Sequence, residues 1–589
     1  MPWGYPSRAG VLCPGRMLRW LLIIVAVLVG LLLASRLLGW ARWKLRRSGL
    51  LHLVLSGSLP DHHVASGVRA WLRRPSGQDL PSLLALLEVA GRDPKIEGVL
   101  LRVEHLACGL GRAEEVRAAL LRLRSAGKSA IVYAEELGLA GYWVALGASS
   151  VRLAPTGSLH VSGVAMEFTL LEGALERAGV RAQLLARGKY KSMREMFTAS
   201  RMSDENREML TSLVTDLSEQ LVALVSSARG KSPDLARAAL DSGPFRADEA
   251  KALGLIDATQ YWDELGEELG FERGKVHSLA GYRRRLRRRR LLPVRPATVA
   301  LLNISGNIRT GHDRQGPDGP RATGHQSFQK ALRKVAKAPR VRAIVLRVDS
   351  PGGSALASDL MWRELNLASK KKPMLVSMVN VAASGGYYTS ALTGVPVWAN
   401  PTTLTGSIGV VGGKFEVSEL LSKLGIGRET VASGPRANFY AATTPWSAEE
   451  LAKVDRDIEA SYRDFVSKMA EARGVSHEAL ERVAQGRVWT GRQALEANLV
   501  DRLGGLWDVE TALREKLSIP AKTPIRWVAA NAKGQLWPRR SDDAELESGA
   551  LRWLAARVPG LGDVFELFED LGGERLLALS VVYPKRHGG

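Results

Sequence analysis

Pro339-Arg340-Val341-Arg342-Ala343-Ile344-Val345-Leu346-Arg347-Val348-Asp349 runs directly into Ser350-Pro351-Gly352-Gly353. Residues 344–348 are almost all apolar, and the run stops at a Gly-Gly turn. That is the pattern of a strand buried on both faces of a parallel sheet. The same line occurs earlier in the chain, as Pro94-Lys95-Ile96-Glu97-Gly98-Val99-Leu100-Leu101-Arg102-Val103-Glu104. The match extends both ways. Leu53-Val54-Leu55-Ser56-Gly57 resembles Leu302-Asn303-Ile304-Ser305-Gly306, and Gly141-Tyr142-Trp143 resembles Gly386-Tyr387-Tyr388. Ser203-Asp204-Glu205 and Ser447-Ala448-Glu449 both read as N-caps followed by an acidic first turn. Phe245–Asp257 resembles Trp489–Asp501, and every pair is separated by 244 to 249 residues. The chain therefore holds two copies of one domain of about 240 residues.

Within a copy, short apolar runs alternate with helical stretches. Residues 344–348, 374–379 and 395–398 are predicted strands, and 326–337 and 354–368 predicted helices, an α/β pattern with parallel strands. The predicted layout is an N-terminal segment 1–47, a first repeat 48–275, an arginine-rich linker 276–296, a second repeat 297–530 and a C-terminal extension 531–589. The extension lies outside the repeat, and its apolar stretches around Leu551 and Leu567 have no assigned role.

The copies differ where chemistry is at stake. In Val381-Ala382-Ala383-Ser384-Gly385-Gly386-Tyr387, a serine sits among residues too small to block approach to it, and glycines let the backbone lie close to a substrate. Ser384 falls opposite Leu139, and Glu104-His105-Leu106-Ala107 stands where the second copy has Asp349-Ser350-Pro351-Gly352. Conversely, Gly188-Lys189-Tyr190-Lys191-Ser192 falls opposite Gly434-Pro435-Arg436-Ala437-Asn438, so Lys191 faces Ala437. No histidine lies near Ser384 or the second copy's Gly-Gly turn. A serine in one copy and a lysine in the other read as a duplicated Ser/Lys site whose roles have been divided.

A lysine works as a base only when desolvated. Its ordinary pKa is about 10.4, and an apolar pocket brings it to roughly 7–8. Lys191 then takes the proton of Ser384 as the hydroxyl attacks a carbonyl. The backbone N–H groups of Gly353 and Gly385 receive the oxyanion. Ser407, in Leu404-Thr405-Gly406-Ser407-Ile408-Gly409, holds the lysine by a hydrogen bond. Each residue alone has a plainer reading: a surface lysine, a serine at a close helix contact, an ordinary glycine turn, a loop hydroxyl. Their joint distribution across the duplication is what carries the chemical reading.

Lys plus Arg number 82 against 60 Asp plus Glu, a net charge of +22, which favours anionic surfaces without choosing among them. The run Arg283-Arg284-Arg285-Leu286-Arg287-Arg288-Arg289-Arg290 reads as a solvated linker, with contact to anionic lipid as the alternative. Cys13 and Cys108 form neither a disulfide framework nor a metal site, and both are expected to be inert. Trp20–Leu33 is uncharged and flanked by Arg19 and Arg36; with Leu37, Leu38 and Trp40 it makes a membrane anchor over about residues 20–40. A cleaved signal peptide is the alternative, but no small-x-small cleavage site follows. Basic residues on both sides of the span leave its orientation open.

Together, Ser350-Pro351-Gly352-Gly353, Ala383-Ser384-Gly385-Gly386-Tyr387, Thr405-Gly406-Ser407-Ile408-Gly409 and Tyr190-Lys191-Ser192 resemble the long, tandem-domain form of the bacterial signal peptide peptidases of the SppA type. The resemblance covers roughly residues 50–530. It implies an α/β fold: a tandem duplication of a ClpP/crotonase-like domain preceded by an N-terminal transmembrane helix. It implies a serine peptidase with nucleophile Ser384, base Lys191, oxyanion donors Gly353 and Gly385, supporting Ser407, and neither cofactor nor metal. Lys189 is the weaker candidate base, because the family's lysine follows the tyrosine. Implied partners are released signal peptides and other apolar peptides, membrane lipid, and further copies of the chain in a tetramer; no nucleic acid is implied. The implied location is the bacterial inner membrane, single-pass, with the body on the periplasmic side. A crotonase-like acyl-CoA enzyme and a catalytically silent membrane scaffold are the competing readings.

Overall fold

A computed structural model of the chain describes residues 48–61, 79–272, 275–289, 296–316, 319–521, 523–529 and 576–579, with Ile23, Val27 and Gly30. Two sheets repeat one plan. In the first half the parallel strands Gly49–Gly57, Ile96–Leu106, Ser129–Gly138 and Ser150–His160 lie side by side in chain order. In the second half Ala297–Ser305, Val341–Ser350, Met374–Ala383 and Leu404–Gly406 do the same. The apolar run 344–348 is the fully buried centre of its strand, as an inner parallel strand requires. The predicted helices are found as His325–Lys337 and Ala355–Ser369.

The duplication is visible bond by bond. Helices Asp204–Arg229 and Ala448–Arg473 are both capped by a serine hydroxyl that accepts the N–H three residues on, and both end at a left-handed glycine, Gly230 and Gly474. Tyr142 and Tyr387 donate their hydroxyls to the carbonyls of Leu255 and Leu499, each at 2.9 Å. Arg229 pairs with Asp257 and Arg473 with Asp501.

A third sheet joins the copies. Strand Arg181–Arg187 of the first repeat pairs antiparallel with Val410–Glu416 of the second along its whole length. The same sheet contains Leu576–Leu579, Gly352–Ser354 and Asn307–Arg309. One apolar core also crosses the boundary: Val116 and Leu120 of helix Leu110–Ser125 belong to the same buried cluster as Val345 and Leu375 of the second sheet.

A buried ionic cluster reinforces this contact. Arg347, 1% exposed, donates to Asp61 Oδ1 at 2.8 Å, Glu115 Oε1 at 2.7 Å and Ser377 Oγ at 2.8 Å. Arg112 donates to Asp61 at 3.0 Å and pairs with Asp349 at 2.8 Å. Burial alone would raise the Asp61 carboxyl; the guanidiniums of Arg347 and Arg112 hold it down at about 2. Arg102, the first-repeat counterpart of Arg347, instead faces Glu104 and Glu135 near the surface.

The stretch expected as a linker has regular structure. Val276–Ser278 is an edge strand beside Gly49–Gly57, and Leu279–Arg289 is a helix. Tyr282 pins that helix: its ring is fully buried and its hydroxyl donates to Asp93 at 3.2 Å. Cys108 is buried, and burial pushes its thiol up to about 12, so it is inert at neutral pH. The expected membrane anchor, Cys13 and all of 531–589 except Leu576–Leu579 lie outside the described residues, apart from Ile23, Val27 and Gly30. Among the described residues no helix is long and apolar enough to cross a membrane.

Removing one partner from a buried charge cluster leaves the others uncompensated, a loss of about 3–5 kcal/mol. Arg347→Met is therefore expected to lower the urea midpoint of unfolding by that equivalent. An unchanged midpoint would show that the cluster does not hold the repeats together.

Candidate active site

Strand Met374–Ala383 ends at Ser384, which caps the short helix Gly385–Ser390 with φ 55° and ψ −115°. A residue with a side chain seldom adopts that conformation, and it persists only where its surroundings fix it. Here the Ser384 N–H donates to the Gly406 carbonyl and the Ser384 carbonyl accepts from the Tyr388 N–H, both at 2.8 Å. Ser384 is fully buried. The small residues around it are geometric necessities. A Cβ on Gly385 would come within 2.5 Å of Ser358 Oγ, and one on Gly386 within 2.5 Å of the Ser350 carbonyl oxygen. The same Gly385 Cβ position lies 3.3 Å from the Gly353 nitrogen, so the main chains of the two glycines meet beside Ser384. Gly353 has φ 147°, and a Cβ there would lie 2.0 Å from the Ile308 carbonyl oxygen.

Lys191 reaches this serine from the other repeat. Strand Arg181–Arg187, held along Val410–Glu416, turns at Gly188 (φ 100°) and places Lys191 over the end of the second sheet. Its Nζ lies 2.7 Å from Ser384 Oγ, 3.0 Å from the Ser407 carbonyl oxygen and 3.1 Å from Ser407 Oγ. Lys191 is 4% exposed, and burial, with no charged neighbour contributing, drives its pKa well below the ordinary 10.5. A cavity of about 230 Å³ reaches Lys191 and is lined also by Gly188, Lys189, Arg194 and Glu195.

All five residues singled out in the sequence thus converge, Ser384, Lys191 and Ser407 in direct contact and Gly353 and Gly385 alongside. Lys189 does not join them: it is exposed, with its ammonium 4.9 Å over the Tyr190 ring. Ala437, the counterpart of Lys191, is on an exposed turn.

Sequence reasoning missed what holds these groups. The loop Gln485-Gly486-Arg487 ties the lysine turn to the Ser407 turn. The Gln485 carbonyl accepts from Tyr190 N–H at 2.8 Å, Gly486 N–H donates to the Ile408 carbonyl at 2.7 Å, and the Arg487 carbonyl accepts from Ser407 N–H at 2.6 Å. Gly486 (φ 75°) is so close to the lysine that a Cβ would lie 2.6 Å from Lys191 N. Arg487 grips Glu208 through two bonds of 2.7 and 2.8 Å while stacking over Tyr190. On the other side, Asp349 accepts from Val381 N–H and Asn380 Nδ2, each at 3.0 Å, and Arg112 of the first repeat pairs with Asp349. The strand leading to Ser384 and the turn leading to Gly353 are therefore clamped together by an arginine from the opposite copy. The available signal was Asp349 itself, an acid placed just before the Gly-Gly turn; nothing in the sequence pointed to Arg112.

This is the arrangement of a serine peptidase built by tandem duplication. Two stretches, residues 122–274 and 366–519, each match the model of peptidase family S49, and the chain belongs to that family. It is 32% identical to the chloroplastic serine protease SPPA of Arabidopsis thaliana, over 83% of this chain and 72% of that protein. It is 30% identical to Protease 4 of Salmonella typhi, over 83% of this chain and 81% of that protein. Among solved structures, a ClpP1 variant from Listeria monocytogenes overlays 36% of this chain and 93% of its own, with a TM-score of 0.23 and 14% identity. The acyl-CoA and scaffold readings give way to this membership.

A buried lysine whose pKa is lowered opposes folding at any pH where the unfolded chain holds the proton. Its folded pKa is lowered, so the unfolded state binds more protons, and stability rises with pH until about 10.5. Lys191→Met is therefore expected to raise the melting temperature at neutral pH, with the gain shrinking as pH approaches 10.5. A variant less stable than the parent at pH 7 would contradict the uncharged state.

Proposed function

We propose that the chain is a membrane-anchored endopeptidase that cleaves apolar peptides, remnant signal peptides among them, with Ser384 as nucleophile and Lys191 as general base. The observation that carries this reading is the 2.7 Å approach of Lys191 Nζ to Ser384 Oγ in a buried site, with no carboxylate among the lysine's hydrogen-bond partners. A neutral amine has two N–H donors and one lone pair. Ser407 offers two acceptors, its carbonyl and its hydroxyl oxygen, which use both donors and leave the lone pair for the Ser384 proton. Three oxygens would equally accept the three N–H groups of an ammonium, so the neutral state is supported by burial without a carboxylate partner.

In the first step Ser384 Oγ bonds to the substrate carbonyl carbon while its proton passes to Lys191 Nζ. The charge on the substrate oxygen is received by the N–H groups of Gly353 and Gly385. Lys191, now an ammonium, returns the proton to the departing amine as the peptide bond breaks. Water then attacks the acyl carbon while Lys191 takes its proton, and the ammonium returns that proton to Ser384 Oγ as the bond to the acyl group breaks.

The segment about residues 20–40 anchors the chain in the inner membrane, with the body on the periplasmic side, and several copies assemble around the membrane surface. The working boundaries are 1–47, 48–275, 276–296, 297–530 and 531–589. The apolar composition of 20–33 and its tryptophan and arginine flanks support the anchor.

The test is cleavage of an apolar peptide by the detergent-solubilised chain beside three variants. Ser384→Ala and Lys191→Ala are expected to lose at least roughly 10³-fold in kcat while remaining folded, and Lys189→Ala to retain activity within about twofold. Normal cleavage by Lys191→Ala would place the base elsewhere.

A further inference from the structure

The arginine run between the repeats is a docked helix with no part in the chemistry at Ser384. Leu279–Arg289 follows the edge strand Val276–Ser278, which pairs with residues 50–52 at the start of strand Gly49–Gly57. Leu279, Tyr282 and Leu286, three and four positions apart, pack as one stripe on the first core. The Tyr282 hydroxyl bonds Asp93, just ahead of strand Ile96–Leu106. The remaining positions of the helix include six arginines, of which Arg283 and Arg284 are exposed. Residues 273–312 contain no Asp or Glu. The helix thus sits where the parallel strands begin, the end of the sheets opposite Ser384, which follows the end of Met374–Ala383. The strand starts of the two sheets meet: Arg92 Nη1 donates to the Ala521 carbonyl at 3.3 Å, shortly before strand Ile525–Ala529. Lys275, Arg340, Arg342, Lys370 and Lys371 are also exposed beside strand starts, so this end is basic in both repeats.

We propose that helix Leu279–Arg289 is a second membrane contact, docking its arginines on the phosphates of anionic lipid headgroups in the bilayer that holds the anchor. The inference rests on the anchored reading above and adds a lipid-binding element to it. Three observations carry it. First, the charge is dense and of one sign over a long stretch of chain, which is complementary to an anionic leaflet. Arginine in particular offers a planar fork of donors that matches a phosphate. Second, the apolar stripe of this helix is already used against the protein core. What it has left for a bilayer is charge, so it meets headgroups and leaves the acyl chains alone. Third, the helix is within reach. Only residues 41–47 separate the anchor, about residues 20–40, from Ser48, a span of at most on the order of 30 Å. Ser48 directly precedes the strand beside which the helix is packed. Arg42, Lys44, Arg46 and Arg47 in that connection add to the same charge. A single span leaves the body free to swing, and a polybasic contact beside it fixes which end faces the bilayer.

The experiment places the full chain in two kinds of lipid nanodisc, phosphatidylcholine alone and phosphatidylcholine mixed with phosphatidylglycerol, and follows backbone amide exchange over residues 279–289. In the anionic discs exchange is expected to slow about tenfold at low salt and to return to the neutral-disc rate at high salt, where headgroup attraction is screened. Inorganic phosphate added to the neutral discs is expected to leave exchange unchanged, which separates a lipid surface from a free anion. Arg283→Gln, Arg284→Gln, Arg287→Gln and Arg288→Gln together are expected to abolish the difference between the discs, with peptide cleavage within about twofold of the parent. The salt comparison on the unaltered chain keeps the test intact should that variant fold poorly. Equal exchange in the two discs overturns the inference and leaves the anchor standing. Slowing by a DNA oligonucleotide in neutral discs, with none in anionic discs, assigns the helix to nucleic acid and overturns it too. A chain that does not enter the discs lacks the anchor, and flotation with vesicles then decides. Flotation with phosphatidylglycerol vesicles but not with phosphatidylcholine vesicles, lost in the four-arginine variant, upholds the helix contact; flotation with neither overturns it along with the anchor.

Discussion

An amine that is to accept a proton near neutral pH has to be kept away from both water and carboxylates. Several features of the contact between the repeats bear on that constraint at Lys191. The side chain is buried between the two repeats, where Gly486 and Gly409 allow the backbone and the Ser407 turn to close on it. Carboxylates are spent elsewhere: Glu208 on Arg487, Asp349 on Arg112, Asp61 and Glu115 on Arg347. These charged groups are paired with one another, and burial is the cause that lowers the pKa of the lysine. Folding bears the cost of burying the amine, and the apolar contact between the repeats offsets it.

Duplication made this division of labour possible. Each copy has the same parallel sheet, the same capped long helix and the same tyrosine-to-carbonyl bond. What differs is what each copy lends to the other. The first sends out strand Arg181–Arg187 with the lysine beyond it; the second offers Val410–Glu416 to receive it and the serine beyond Met374–Ala383. Arg347 shows the same divergence. Its counterpart Arg102 lies near the surface, whereas Arg347 is sealed against Asp61 and Glu115 of the first repeat. The same position is part-buried beside Trp262 in one copy and sealed within the contact in the other.

The repeat and its strands were legible because buried parallel strands leave long apolar runs, and 344–348 and 374–379 are of that kind. The serine and lysine were legible because each is missing from the other copy. Leu576–Leu579 was not, since four apolar residues in a tail have no period to read and their partners lie more than 160 residues away in sequence. Arg112 was not legible either: an arginine at the start of a helix is ordinary until its partner Asp349 is seen to come from the other repeat. The helical state of Leu279–Arg289 was not legible, since a run of arginines reads as a solvated linker. Arginine is nonetheless a good helix former, and Tyr282, with Leu279 and Leu286, packs this helix against the first core.

The central claim is that Lys191 is a neutral base in contact with Ser384, and the rate at which Ser384 is acylated reports on it directly. The measurement is the single-turnover rate of Ser384 acylation by a small active-site ester, followed from pH 5 to pH 11. The account predicts a rate that rises to a plateau with one ionisation far below 10.5, and a limb that disappears in Lys191→Ala. An ionisation near 10.5, or one that survives in Lys191→Ala, would contradict it.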